Sequence, residues 1–296
     1  MRTALFEVIK PGLSTTVQDL GRYGFQQYGV VVSGAMDSFA LQVANILVGN
    51  DRREACLEIA IMGPKLLILK DTILAICGAD LSPKLDGEDV PLWTSIRAYA
   101  GQTLEFGQPK AGVYAYLAVS GGINVPLIME SKSTYTKGKT GGFKGRVLEK
   151  GDILHGNKQH IPLKLLFRRG LVKQYIPNYH LHRSIRVILG PDQEAFTDET
   201  LHTFFTEPYK VTNQSDRMGY RLIGPKLHHR KSADIISDAI LPGTIQVPAS
   251  GEPIVLLADR QTTGGYTRMA TVISTDLHFV AQALPGKQLS FKQVSI

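Results

Sequence analysis

The sequence predicts a mainly β protein with a few helices, folded as two lobes of β-barrel or sandwich type. Three observations lead there. The 296 residues include 29 glycines and 15 prolines, a density of turn formers that favours short strands over long helices. The apolar fraction of 43% suffices for a full core without disulfide or metal staples. The apolar runs are short, β-branched or aromatic, and bounded by Gly, Pro or Asp.

Taken along the chain, the first clear element is a helix. Asp37 or Ser38 can cap "SFALQVANILVGN", in which Phe39, Ala40, Val43, Ala44 and Leu47 line one face and Gly49 ends it. "TILAIC" (72–77) reads as a strand. "KLDGEDVPLW" (84–93) carries Asp86-Gly87, a hairpin turn signal. "GVYAYLAV" (112–119) and "SIRVIL" (184–189) are strands. "DQEAFTDETLHTFF" (192–205) follows Pro191 and reads as a helix. "TIQVP" (244–248) and "PIVLLA" (253–258) are strands, and "STDLHFVAQALPG" (274–286) is a helix stopped by Pro-Gly.

Short matches recur in the same order in both halves. "GPKL" stands at 63–66 and 224–227. "AGQTLEF" (100–106) parallels "PGKQLSF" (285–291), and "SGAMD" (33–37) parallels "SDRMG" (215–219). Chance and an ancient duplication both account for this. A duplication gives a first β lobe over 1–125, an inserted region over 126–184 with a basic glycine-rich loop, and a second β lobe over 185–296.

Composition excludes several classes. The start lacks the apolar stretch of a signal peptide, and no apolar run approaches a membrane span. Cys56 and Cys77 sit in apolar surroundings with no adjacent base, as buried reduced thiols of a cytoplasmic protein do. The net charge of +7 is spread out. The denser stretches, 164–173 and 228–231, lack the interleaved aromatics of a nucleic-acid platform. His180 with His182, and His228 with His229, lack a third ligand at a recognisable spacing, so no metal site is read. Neither a nucleophile elbow, a dinucleotide fingerprint nor a Walker loop is present.

Four stretches are too polar and glycine-rich for simple connectors. Residues 16–37 hold Gln18, Asp19 and Arg22, then Ser33, Gly34, Ala35 and Met36 at the helix entry. Backbone N–H groups there can hold an anion, or the stretch is an ordinary capped helix start. Residues 131–146 hold Lys132, Tyr135, Lys137, Lys139, Gly141, Gly142, Lys144 and Arg146 with no acid. Such a loop can close over a carboxylate or phosphate, or be a mobile surface loop. The others are "QSDRMGYRL" (214–222) and "ADRQTTGGY" (258–266). Three of the four place an Asp close to an Arg beside a Gly: Asp19 with Arg22, Asp216 with Arg217, Asp259 with Arg260. In a site, Arg forks onto a substrate oxyanion while Asp orients it or takes a proton. In a barrel, the same residues tie loops together.

In order, "TVQDLGRYG", "GVVVSGAMD", "LVGN", "SGGINVP", "STYTKGKTGGFKGR", "SDRMGYRL", "PGTIQVP" and "ADRQTTGGY" resemble the KipA family. It is also called allophanate hydrolase subunit 2, or the biotin-dependent carboxyltransferase A/B module. The resemblance spans about residues 8–294. It implies β-barrel lobes of cyclophilin-like character and a partner, the KipI-like B subunit. Bacterial members of this size resemble the C subunit of an ATP-dependent 5-oxoprolinase, in which a LamB/YcsF-like A subunit finishes ring opening to glutamate. In urea amidolyase the module moves a carboxyl group from carboxybiotin to a urea nitrogen. A third use is regulatory, by binding KipI. Ala35-Met36 is followed by Asp37-Ser38 and not by Lys-Met, so any carboxybiotin arrives on another chain.

Under that resemblance the substrate is a small amide or lactam. Arg22, Arg146, Arg217 and Arg260 are candidate clamps for the carboxyl or phosphoryl group. Asp19, Asp216 or Asp259 is the candidate base. Gln18, Ser33, Gly34, Ala35, Met36, Gly141, Gly142, Tyr220, Gln261, Thr262 and Thr263 line the substrate. Gly264 and Gly265 admit backbone amides, and Tyr135 and Tyr266 flank a flat ring.

Overall fold

The structure is a computed structural model that describes residues 3–158, 161–180 and 183–295. The chain divides into two compact units, Met1–Arg22 with Ser33–His180, and Tyr23–Val32 with Leu181–Ile296. Residues 126–180 thus belong to the first unit.

The first unit contains eleven strands among the described residues: β1 (Thr3–Lys10), β2 (Ser14–Gln18), β3 (Cys56–Ala60), β4 (Lys65–Ile68), β5 (Thr72–Asp80), β6 (Lys84–Leu85), β7 (Glu88–Asp89), β8 (Ser95–Ala98), β9 (Thr103–Glu105), β10 (Ala111–Val119) and β11 (Ile153–Gly156). They form two antiparallel sheets, ordered β11-β1-β4-β9-β6-β7 and β2-β3-β10-β5-β8. The β6–β7 hairpin turns at Asp86 (φ 49) and Gly87 (φ 87), as Asp-Gly predicts. Leu66, Ile68 and Leu104 from the first sheet and Leu57, Leu74 and Leu117 from the second share one core.

Strands β5 and β10 are apolar on both faces because both faces are covered. One faces that core, and the other meets helix α1 (Ser38–Leu47), whose Ala40, Leu41, Ala44 and Leu47 are buried. Asp37 caps α1, its Oδ1 accepting from the Ala40 N–H at 2.9 Å. Gly49, at φ 78, ends it.

The second unit holds β12 (Ser184–Leu189), β13 (Tyr209–Val211), β14 (Gly219–Ile223), β15 (Asp234–Ala239), β16 (Thr244–Val247), β17 (Ile254–Leu256), β18 (Thr263–Val272) and β19 (Gln288–Gln293). Seven of them close into a barrel, β12-β19-β13-β14-β17-β16-β18, because β18 pairs back onto β12. Closure satisfies the strand edges within the ring. The exposed β15 adds to the outside of β18.

Helices α2 (Asp198–Thr206) and α3 (Leu277–Ala281) are both shorter than the sequence predicts. Thr197 caps α2 by accepting from the Thr200 N–H, so residues 193–195 form a separate 3-10 turn ahead of it. Asp276 does not cap α3: its buried carboxylate takes the Arg186 fork at 2.7 and 3.1 Å. The repeated motifs take different local structures. "SGAMD" leads into a helix and "SDRMG" into β14. No helix among the described residues is long and apolar enough to cross a membrane.

Candidate functional site

Each unit carries one cluster of the residues singled out above. In the first unit the centre is Asp19, at the end of β2. Its Oδ1 accepts from the Gly21 N–H at 2.8 Å, the Ser131 hydroxyl at 2.7 Å and the Ser133 hydroxyl, and its Oδ2 accepts from the Lys132 N–H at 2.6 Å. Arg22, also buried, donates to the carbonyls of Ile128 at 3.1 Å and Ser133 at 2.7 Å. The Gln18 amide donates to Thr16 and to the Thr134 carbonyl, and its Oε1 is buried without a partner. Asp19, Arg22 and Gln18 therefore hold the 128–134 segment in place.

The glycines of the basic loop follow from that packing. A Cβ on Gly141 would lie 2.1 Å from the Ser133 oxygen and 2.5 Å from Arg22 Nη2, and one on Gly142 would lie 1.8 Å from Thr134 Oγ1. Tyr135 bridges to Thr140, its ring lying over Gly138. The loop is folded, and two of its five charges are firmly paired. Arg146 forks onto Asp152 at 2.7 and 2.8 Å, which holds that carboxyl below the usual carboxylate range, and Lys132 pairs with Glu54. The expectation of Arg146 as a substrate clamp meets this fact: its guanidinium is already matched.

The helix entry is likewise occupied from within. Ser33, at φ 57, donates to the Thr134 carbonyl, and Gly34 passes so close to Leu20 and Gly21 that a Cβ would come to 2.8 Å. The Ala35 N–H donates to the Asp19 carbonyl at 2.9 Å and the Met36 N–H to Glu58 Oε2 at 2.9 Å. The Asp37 N–H donates to the Tyr116 hydroxyl at 2.7 Å. The anion at this helix start is the chain's own Glu58. Tyr116 donates to Glu58 at 2.7 Å, and burial, then Glu58 and Asp37, push its phenol well up. Tyr179 donates to Asp37 Oδ2 at 2.7 Å and lines a cavity of about 380 Å³ with Trp93, Asp80 and Lys173. Sequence reasoning passed over Glu58, Tyr116 and Tyr179. The available signal was one acid inside the apolar strand "CLEIA".

In the second unit Asp259 pairs with Arg217, Nε to Oδ2 at 2.9 Å and Nη2 to Oδ1 at 2.9 Å. Its sequence neighbour Arg260 is 6% exposed, and its bonds go to the carbonyls of Ile240 and Leu257, both at 3.3 Å. Among the described residues no carboxylate stands within ion-pair distance of it. Burial pushes its pKa down, with Tyr23 acting in the opposite sense. Asp216 is exposed and turns its Oδ1 onto the Met218 N–H at 2.7 Å. Tyr220 is buried, its hydroxyl donating to the Ala281 carbonyl at 2.6 Å. Gln261 and Thr262 are half-buried, and Thr263, Gly264, Gly265 and Tyr266 open β18. Beneath them Gln246, 2% exposed and also passed over, donates to the Tyr266 carbonyl at 3.2 Å.

His229 faces the Val247 carbonyl and the Thr267 hydroxyl, whereas His182 lies outside the described residues. Among the described residues no three His, Cys, Asp or Glu side chains gather as a metal site requires.

A closed seven-stranded barrel in one unit, two sheets around one core in the other, and loop clusters tied by buried Asp and Arg define the class. This is a mainly β protein whose polar chemistry sits in loops. The chain belongs to the family described as "Carboxyltransferase domain, subdomain A and B", whose model matches residues 28–293. It is 39% identical to the C subunit of 5-oxoprolinase from Escherichia coli over 99% of this chain and 92% of that one. It is 33% identical to urea amidolyase of Saccharomyces cerevisiae over 98% of this chain, spanning only 16% of that protein. The crystal structure of Kluyveromyces lactis urea amidolyase matches all of this chain and 19% of its own, with a TM-score of 0.92 at 32% identity.

Proposed function

We propose that the chain is the C subunit of an ATP-dependent 5-oxoprolinase. In this reading it acts with a KipI-like B subunit to activate 5-oxoproline, and a LamB/YcsF-like A subunit finishes hydrolysis to glutamate in the cytoplasm. One observation carries the reading: the 39% identity to a 5-oxoprolinase C subunit extends through nearly the whole of both chains.

The chemistry fits the residues. A lactam resists water because its carbonyl is a poor electrophile, and phosphoryl transfer from ATP to the carbonyl oxygen relieves that. This chain's part is to hold negative charge and exclude water. Arg260 is buried with no acid partner among the described residues, whereas Arg146 and Arg217 are matched by Asp152 and Asp259. Of the candidate bases, Asp19 and Asp259 are engaged in holding loops, and Asp216 is the exposed one.

A second reading is a carboxyltransferase subunit for urea or a related amide, with carboxybiotin on another chain. The structural match to urea amidolyase favours it. The deciding experiment is purification with the cognate subunits, followed by an assay of ATP-dependent glutamate release from 5-oxoproline. Release supports the first reading. No release, alongside biotin-dependent ATP use with urea, overturns it.

A further inference from the structure

The cavity of about 380 Å³ beside Tyr179 is of a size with small-ligand sites, which run from about 300 to 1,000 Å³. Every residue lining it belongs to the first unit. Part of its lining is the end of β5, where the neighbouring β10 bulges: Ala111 faces Asp80, yet Ala115 already faces Gly78. Leu92 and Trp93 line it too, as does the segment 173–180, which contributes Lys173, Ile176 and Tyr179.

The apolar lining is fixed in place. Trp93 is 4% exposed, and its φ of 57 is a left-handed conformation that a bulky residue takes only where its surroundings impose it. Here the Trp93 N–H donates to the Ile76 carbonyl at 2.8 Å, and the Leu171 N–H donates to the Trp93 carbonyl at 3.0 Å. Tyr179 is held by its hydroxyl, which donates to Asp37 Oδ2 at 2.7 Å. What it offers a ligand is its ring.

Two opposite charges share this space without meeting. Lys173 and Asp80 both line the cavity, and among the described residues neither forms an ion pair, with the other or with a third group. Asp80 Oδ1 accepts from the Ser82 N–H at 2.9 Å, and its Oδ2 accepts from no group among the described residues. A guest that is only an anion meets like charge at Asp80, and one that is only a cation meets it at Lys173. A zwitterion answers both. An α-amino acid carries its ammonium and carboxylate on one carbon, so it can bridge two charges that do not touch. A flat apolar side chain matches the Trp93 and Tyr179 rings.

We infer that this cavity binds a free α-amino acid with an aromatic side chain. Its carboxylate meets Lys173, its ammonium meets Asp80, and its ring packs among Leu92, Trp93, Ile176 and Tyr179. The site does not rest on the function proposed above and stands or falls apart from it.

The test is titration of the full chain with L-phenylalanine. Trp93 is the single tryptophan and lines the cavity, so its emission reports on this site directly, and calorimetry gives the affinity and stoichiometry. L-Phenylalanine should change the Trp93 emission saturably, with one molecule bound per chain. Three analogues each lack one part: 3-phenylpropionate the ammonium, phenethylamine the carboxylate, and glycine the ring. Each should bind at least about tenfold more weakly, as the loss of one charge-assisted bond or one buried ring requires. In Lys173→Met the preference for L-phenylalanine over phenethylamine should disappear. In Asp80→Asn the preference over 3-phenylpropionate should disappear. Asn keeps an Oδ1 for the Ser82 N–H and Lys173 is exposed, so both variants should keep the wild-type Tm.

Three outcomes overturn the inference. One is no saturable change in emission or heat at millimolar L-phenylalanine. Another is 3-phenylpropionate, phenethylamine or glycine binding the wild type as tightly as L-phenylalanine does, which removes Asp80, Lys173 or the aromatic lining from the site. The third is an affinity for L-phenylalanine that both substitutions leave unchanged, which places the amino acid elsewhere on the chain.

Discussion

Replacing Asp19 by Asn separates a base from an anchor. The Asp19 carboxylate accepts four bonds, three on Oδ1 and one on Oδ2, and is 8% exposed. In Asn the amide group replaces one oxygen, so the Lys132 N–H would face another donor. That loses one bond to a charged group, about 1.5–3 kcal/mol. The three remaining bonds lose their charge assistance, which brings the total to about 3–5 kcal/mol. The single tryptophan, Trp93, is buried in the first unit, so its fluorescence reports that unit's unfolding in urea. With a slope of roughly 2 kcal/mol per molar, the midpoint should fall by about 2 M. An unmoved Trp93 transition with activity of the reconstituted complex abolished would refute this reasoning and make Asp19 a base.

Three further outcomes follow from other sites. Tyr209 is fully buried with its hydroxyl unpartnered, so Tyr209→Phe should stabilise the second unit by about 1–3 kcal/mol in urea melts followed by circular dichroism. Burial, reinforced by Glu207, pushes the phenol up. The wild type therefore loses stability above about pH 10, where the unfolded chain ionises, and the gap to Tyr209→Phe widens there. A destabilised Tyr209→Phe would show that the hydroxyl is bonded. The two glycines of "TTGGY" should differ. Gly264→Ala, which must displace Ile240 and Gln246, should cost about 1–3 kcal/mol. Gly265→Ala, with nothing closer than 3.5 Å, should stay within about 0.5 kcal/mol of wild type by the same melts, and equal effects would contradict the packing. Finally, the Arg146 fork lowers the pKa of Asp152, against the effect of burial. Its contribution is complete above the usual carboxylate range and drains as pH falls through the lowered folded value. An acid titration of stability should therefore be shallower in Asp152→Asn, and identical slopes would rule this out.

Much of the fold was legible because it is local. Strand 184–189, the Asp86-Gly87 turn and the Asp37-capped helix are set by residue type and spacing within a few positions. The two shortened helices were not: Thr197 and not the residues after Pro191 caps α2, and Asp276, which could have capped α3, serves Arg186, 90 residues away. The same separation hid the wiring of the site. Residues 131–146 contain five basic residues and no acid, and so read as a closing loop or a mobile surface loop, but Asp152 and Glu54 lie just outside that window and 78 residues before Lys132.

Asp259-Arg260 shows where the division falls. The sequence alone determined that an acid, a base, amide-bearing and hydroxylic neighbours and two glycines follow one apolar strand, and that this pattern, with its companions, marks the family. It could not decide which charge meets which. The two residues fall in the turn between β17 and β18, where adjacency is no guide to pairing. Only the closed barrel, by bringing β14 alongside β17, matches Asp259 with Arg217 from 42 positions away and leaves Arg260 buried beside carbonyls, with no acid among the described residues at its side.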